Sequence, residues 1–303
     1  MSRPEHALPV PGAANAALVA GVAATALGLL AVAANASPGA LVGVAIAYAA
    51  VFQLGFALLH EAAHRKLHPD PRMNRALGLV VGTLFGMSVT MFGITHWSHH
   101  LKNRADEEAY DQVGPGEVRW KKAIGWYGML LGLWYWVIWP ANLLILVAPG
   151  PASRLARRIR IADAVFDAPP ATLRAIRAEL LGWAAAVTAV AIAVGPAALA
   201  LQVAAAWVWS SSNYVEHAYA PRDVATGAFD LRAPRLWSAL NLHRELDRTH
   251  HRWPDAPWTH LPRLSSGTDG AWLAHWLGQW RGPVRAPAPG PRPLAVIPET
   301  PLP

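Results

Sequence analysis

Two uncharged apolar runs lie almost back to back near the start of the chain, at residues 13–35 and 39–59. Only the stretch Asn35 to Gly39, with Pro38 inside it, separates them. Each run is long enough to cross ~30 Å of hydrocarbon as a helix. A helix that is apolar all round cannot keep one face in water, so this pair restricts the chain to a membrane fold. The first run is too long for a signal peptide and reads as an anchor. Three more apolar stretches follow, at 76–95, 123–148 and 180–209. The earliest is interrupted by Gly78, Gly82, Gly86 and Gly93. The next is rich in tryptophan (Trp126, Trp134, Trp136, Trp139) and broken by Pro140, and the last carries Gly195–Pro196 in its middle. Composition agrees: 15% of residues are charged and mean hydropathy is +0.23, against about 25% charged in soluble domains.

The expectation is therefore an all-α fold, a polytopic membrane helical bundle with a histidine-rich helical cap on the cytoplasmic side. The membrane domain covers residues 1–281, with spans at about 13–35, 39–59, 123–148 and 180–209. Residues 282–303 hold eight prolines without apolar periodicity and read as a disordered tail. The net charge of +7 comes mainly from arginines in loops, which fits anionic cytoplasmic lipid better than nucleic acid. The basic stretch Arg154, Arg157, Arg158, Arg160 leaves the topology around it open. Single crossings put it opposite the histidines, whereas hairpins turning at the prolines put it on their side. Trp120, Trp126 and Trp139 are expected as interfacial anchors. The absence of cysteine excludes disulfides, thiolate zinc, iron–sulfur and haem-thiolate chemistry. Any electrons must come from another protein.

Most of the thirteen histidines fall into tight groups just beyond apolar runs. His60 and His64 are spaced i, i+4, which stacks two imidazoles on one helix face where both reach one metal. His96, His99 and His100 again share a face. His217 stands alone in Asn213-Tyr214-Val215-Glu216-His217. His250 and His251 close the series, with Asp247 and His243 on the same helical stripe. Eight imidazoles exceed what one tetrahedral zinc uses, whereas two metals sharing them fit. Because unpaired intramembrane histidines are costly, the first two groups must meet at one cluster. Residues 76–95 then cannot cross the membrane once and are expected to be interfacial or re-entrant. Glu61, Glu216 and Asn213 adjoin these groups, and the two glutamates are candidates for orienting imidazole N–H groups. A competing reading exists, since His60-Glu61-Ala62-Ala63-His64 also spells the H-E-x-x-H signature of zinc proteases. An intramembrane protease needs a further acid, for which Asp269 is the nearest candidate, and it leaves the other groups unexplained.

The ordered set HxxxH, HxxHH, a late single histidine and a final HH resembles the membrane fatty acid desaturase and alkane hydroxylase superfamily, over roughly residues 60 to 262. Asn213 to His217 is similar to an element of its alkane monooxygenase branch. His250 to Trp258, continuing to Leu261-Pro262, is similar to the HHxxPxxPW ending of acyl-lipid desaturases. The resemblance implies two non-haem iron ions on the cytoplasmic side, with O2 as co-substrate. It also implies an external ferredoxin, rubredoxin or cytochrome donor and a lipid or acyl-chain substrate. The iron ligands would be His60, His64, His96, His99, His100, His217, His250 and His251. The leading reaction is acyl-lipid desaturation, with hydroxylation or ketolation of an alkane, fatty acid or carotenoid as the alternative. One departure matters: Asp247 stands where the last box normally begins with histidine. Asp247 binds iron itself, His243 substitutes for it, or the ligand is lost and the relative is non-catalytic.

Overall fold

The computed structural model describes residues 8–159 and 163–295, so Arg160 and the end of the proline-rich tail lie outside the described residues. Two long helices open the chain, α1 (Gly12–Ala33) and α2 (Pro38–Ala63). Ser37 caps α2 by accepting from the Ala40 amide, and Pro38 fills the first turn, where its missing N–H costs nothing. α3 (Pro71–Phe85) repeats this start, with the Asp70 carboxylate accepting from the amides of Arg72 and Met73. α4 (Val89–Lys102) is capped by Ser88.

The stretch expected to be interfacial or re-entrant is α3 and α4, bent by 89°. Gly86 makes the bend at φ +87°, a conformation that favours glycine. A bend in an apolar environment leaves carbonyls without partners. Here Tyr135 donates to Phe85 O at 2.6 Å and Asn142 to Gly86 O at 2.7 Å.

The second bend lies elsewhere than Pro140. α5 (Arg119–Leu130) and α6 (Leu133–Val147) are bent by 94°. The turn is at Leu131–Gly132, and Pro140 sits inside α6. Gly132 has φ +91°, and a Cβ there would meet the Trp207 backbone at 2.9 Å. α7 (Pro149–Ile159) and α8 (Asp163–Phe166) follow. The expected single run 180–209 is two helices, α9 (Pro170–Val194) and α10 (Pro196–Ser212), broken at Gly195 with φ +66°. Among the described residues, three helices are long and apolar enough to cross a membrane: α1, α2 and α9. The count rises to five if each bent pair is one span.

α2 is the central helix and packs against α1, α3, α4 and α10. Its core includes Phe52 and Phe56, which contact Phe85, Phe92, Tyr135 and Trp209. The polar C-terminal region adds α11 (Arg235–Asn241), α12 (Asp247–Arg252), α13 (Leu261–Leu264) and α14 (Trp272–Gly278). Four two-residue strands pair in parallel: β1 (Gln112–Val113) with β4 (Val284–Arg285), and β2 (Leu231–Arg232) with β3 (Gly270–Ala271).

Two further expectations are corrected. The first part of the proline-rich tail is ordered: β4 pairs with β1, and the Leu294 amide bonds Leu101 O at 2.9 Å. Backbone hydrogen bonding to a distant segment replaces the apolar packing that the sequence lacks. Trp126 is not an interfacial anchor but is buried, donating to Gln279 O at 2.8 Å.

Candidate metal centre

The end of α2 carries His60 and His64 into the polar side of the bundle. Asn15 of α1 steadies the exit from that helix, donating to Lys66 O and Leu67 O and accepting from the Trp258 indole. α4 supplies His96, His99 and His100. His217 lies in a turn beyond α10, and α12 supplies His250 and His251. Asp230 fixes α12 by accepting from the Thr249 amide and hydroxyl, at 2.9 and 2.5 Å.

These histidines, spread over nearly two hundred residues, converge in two groups. His60, His64, His96 and His250 form one, and His99, His217 and His251 the other, with ligand atoms in each within 4.8 Å of one another. His100 lies between them. Its Nε2 is 3.3 Å from His64, 3.1 Å from His96 and 3.0 Å from His250 Nε2, and its ring centroid is 4.4 Å from that of His251. His64 and His96 Nε2 are 2.7 Å apart.

Such a cluster is poorly satisfied by hydrogen bonds alone. Each neutral imidazole has one N–H, yet several Nε2 atoms crowd together while Nδ1 of His60, His64 and His100 stays buried without a partner. As a metal-binding set it is consistent. With bonds of ~2.1 Å, neighbouring ligand nitrogens lie about 3.0–3.4 Å apart, close to the observed spacing. Burial also holds His250 down to about 4 and His251 well below its usual range, so both are neutral, the ligating form.

Asp247 lies against the second group. Its Oδ2 is 2.9 Å from His217 Nε2 and 3.6 Å from His251 Nε2. His243 instead stacks on Trp258 and turns its Nδ1 towards Glu245. The acid that a protease would require is also engaged elsewhere, since Asp269 pairs with Arg248 at 2.7 Å.

The surrounding polar residues divide unevenly. Glu61 accepts from the Trp258 amide at 3.3 Å and lies 3.9 Å from His60 Nδ1. Glu216 accepts from the Trp272 indole at 2.9 Å, and burial with nearby Asp247 pushes it up to about 8. Asn213 ends α10 as a half-buried C-cap. The Nδ1 of His217 faces Gly227 O at 3.2 Å, and Glu108 lies 3.3 Å from His99 Nδ1. Sequence reasoning had given Glu108 no role, although it sits nine residues beyond His99 in an acidic trio.

It had also missed a fully buried node. Arg104 donates to Asp111 at 2.6 and 3.1 Å, to the Tyr214 hydroxyl at 2.8 Å and to Ala220 O at 3.0 Å. Tyr214 donates to Glu108 O at 2.7 Å, and Asn103 binds Val224 O and Gly227 O. This node joins the second histidine segment to the His217 turn. The tyrosine of Asn213-Tyr214-Val215-Glu216-His217 is the signal that pointed there.

Apolar helices of membrane-crossing length under a buried polyhistidine cluster define a membrane-type, histidine-rich helical protein. The chain matches the fatty acid desaturase family over residues 35–283 and belongs to it. No curated protein matches the chain. Membership implies a desaturase-like oxidoreductase acting on lipid chains in membranes.

Proposed function

We propose that the chain is an O2-dependent di-iron enzyme that oxidises a lipid hydrocarbon chain, with acyl-lipid desaturation as its reaction. The observation that carries this reading is the convergence of seven histidines in two adjoining groups, with His100 between them. His60, His64, His96 and His250 would hold one iron. His99, His217 and His251 would hold the other with Asp247, and His100 stands between the two. A carboxylate is a competent iron ligand and offsets positive charge, so Asp247 completes the second group without its missing histidine. Two non-haem irons there supply reductive activation of O2 and removal of hydrogen from an unactivated methylene.

The chain's own share is placement and exclusion of water. Glu108 and the Gly227 carbonyl face Nδ1 of His99 and His217, which fixes the tautomer that presents Nε2 to a metal. Phe92 stacks on His96 with ring centroids 5.4 Å apart and packs against Phe56, which also meets Trp209, and apolar side chains beside a metal centre protect reactive chemistry from side reactions. We place the centre at the cytoplasmic face of a multi-pass protein, where an external ferredoxin, rubredoxin or cytochrome donor reaches it. Lipid profiling of cells that express the chain with a reductase system tests the reaction. A new double bond is expected. A new hydroxyl or keto oxygen would replace desaturation with hydroxylation or ketolation, and an unchanged profile with the centre loaded would refute lipid oxidation.

A further inference from the structure

The two halves of the cluster offer equal numbers of ligand groups: His60, His64, His96 and His250 in one, and His99, His217 and His251 with Asp247 against them in the other. Ligand number therefore does not rank the two positions. What stands behind the ligands does. A neutral imidazole that binds metal through Nε2 keeps its proton on Nδ1. An acceptor at that proton orients the ring and raises its basicity.

In the first half such acceptors are scarce. Among the described residues, Nδ1 of His60 and His64 is buried without a hydrogen-bond partner, as is Nδ1 of His100 between the halves. The Glu61 carboxylate stands 3.9 Å from His60 Nδ1, beyond hydrogen-bond reach, and its other oxygen accepts from the Trp258 amide. A divalent cation on four neutral imidazoles there is a buried charge with no carboxylate ligand to offset it.

The second half is built the other way. Asp247 places a carboxylate oxygen 2.9 Å from His217 Nε2. Behind His99 stands Glu108, 3.3 Å from Nδ1, and behind His217 stands the Gly227 carbonyl, 3.2 Å from Nδ1. Both acceptors are themselves held. The Tyr214 hydroxyl donates to Glu108 O at 2.7 Å, which steadies the residue whose carboxylate meets His99. Asn103 Nδ2 donates to Gly227 O at 3.3 Å and to Val224 O at 3.0 Å. Tyr214 also accepts from Arg104, the residue that follows Asn103. One buried node thus backs two imidazoles of the same half.

We infer that the two metal positions are unequal: the position of His99, His217, His251 and Asp247 holds its iron more tightly, and the four-histidine position is the exchangeable one. Glu108, Asn103 and Tyr214 are positioning residues for the tight position, acting through His99 and His217. The inference rests on the di-iron reading and ranks its two halves. Outer partners of this kind change metal affinity about 10–100-fold, which sets the size of the gap.

The test withdraws iron from the purified full-length protein, in detergent and without O2, with increasing amounts of a ferrous chelator, and follows the iron retained per chain. Two phases are expected, one iron leaving at about 10–100-fold less chelator than the other. His64→Ala should lack the early phase and keep the late one. Glu108→Gln, which exchanges the carboxylate for a neutral amide of similar size, should move only the late phase, to about tenfold less chelator, with the melting temperature unchanged. Tyr214→Phe should move the same phase in the same direction. A merely structural role for these residues would lower the melting temperature and shift both phases together. Both irons leaving the parent protein in one phase, or Glu108→Gln shifting the early phase or neither, would overturn the ranking. A parent protein that carries no iron would instead remove the di-iron reading itself, so the two failures are told apart by the starting iron content.

Discussion

Asp247 is the residue on which the two halves of the cluster differ. The first group is built from imidazole alone, whereas the second has three imidazoles and a carboxylate oxygen 2.9 Å from His217. Burial alone would raise this carboxyl, but His217 and His251 hold it below its usual range, so it is ionised. Asp247→Ala is therefore expected to lower bound iron from about two per chain to about one, read by elemental analysis. Asp247→His should keep both, and His243→Ala should change nothing, because His243 faces Glu245 and Trp258 instead. A second residue-scale prediction concerns Arg104 and Asp111, both fully buried. Removing one partner of a buried pair costs about 3–5 kcal/mol, so Asp111→Ala should lower the melting temperature sharply. Tyr214→Phe, which deletes one hydroxyl of the node, should cost only about 1 kcal/mol. The lone His217 joined the set only through the ordered series and the family resemblance, whereas the groups at 60–64, 96–100 and 247–251 were legible because i, i+3 and i+4 spacings bring side chains onto one helix face. The node was not, because Arg104 and Tyr214 are 110 positions apart and nothing local marks their contact.

Among the elements, the two sharp bends decide where the site stands. At Gly86 the bend returns α4 alongside α2 and so brings His96 to His64. The glycines of 76–95 signalled this. Gly78 and Gly82 show why, since a Cβ at either would lie within 3 Å of Val89 or Met87 O. The bend at Gly132 was misplaced onto Pro140. Proline is tolerated inside membrane helices when neighbouring groups satisfy the freed backbone, so its presence alone does not locate a break. What locates this one is the approach of the Trp207 backbone to Gly132, a contact between helices that is invisible in one sequence. Gly132→Ala should accordingly be strongly destabilising, through both the positive φ and the collision. Gly182→Ala, in open space on α9, should leave the protein no less stable. Thermal unfolding of the two purified variants compares them directly.

For the molecule as a whole, the apolar runs indicated the helical class and the starts of α1 and α2 to within one residue, while α2 runs four residues beyond its expected end, to Ala63. They did not reveal the order of residues 282–295, because β4 recognises β1 through backbone groups that carry no side-chain signature. That segment also bonds Leu101 through Leu294 and Asp106 through Gly290, close to the second histidine group. Truncation after residue 281 is expected to lower the melting temperature and to expose residues 101–113 to protease, with the helical content retained. An α-helical scaffold gathers imidazoles from four distant segments, where the proposed metal pair would replace hydrogen bonds they cannot all make. Elemental analysis of the purified, full-length protein tests this most directly. About two irons per chain are expected, falling on substitution of His64 or His250. One zinc per chain, or no metal at all with the fold intact, would contradict it.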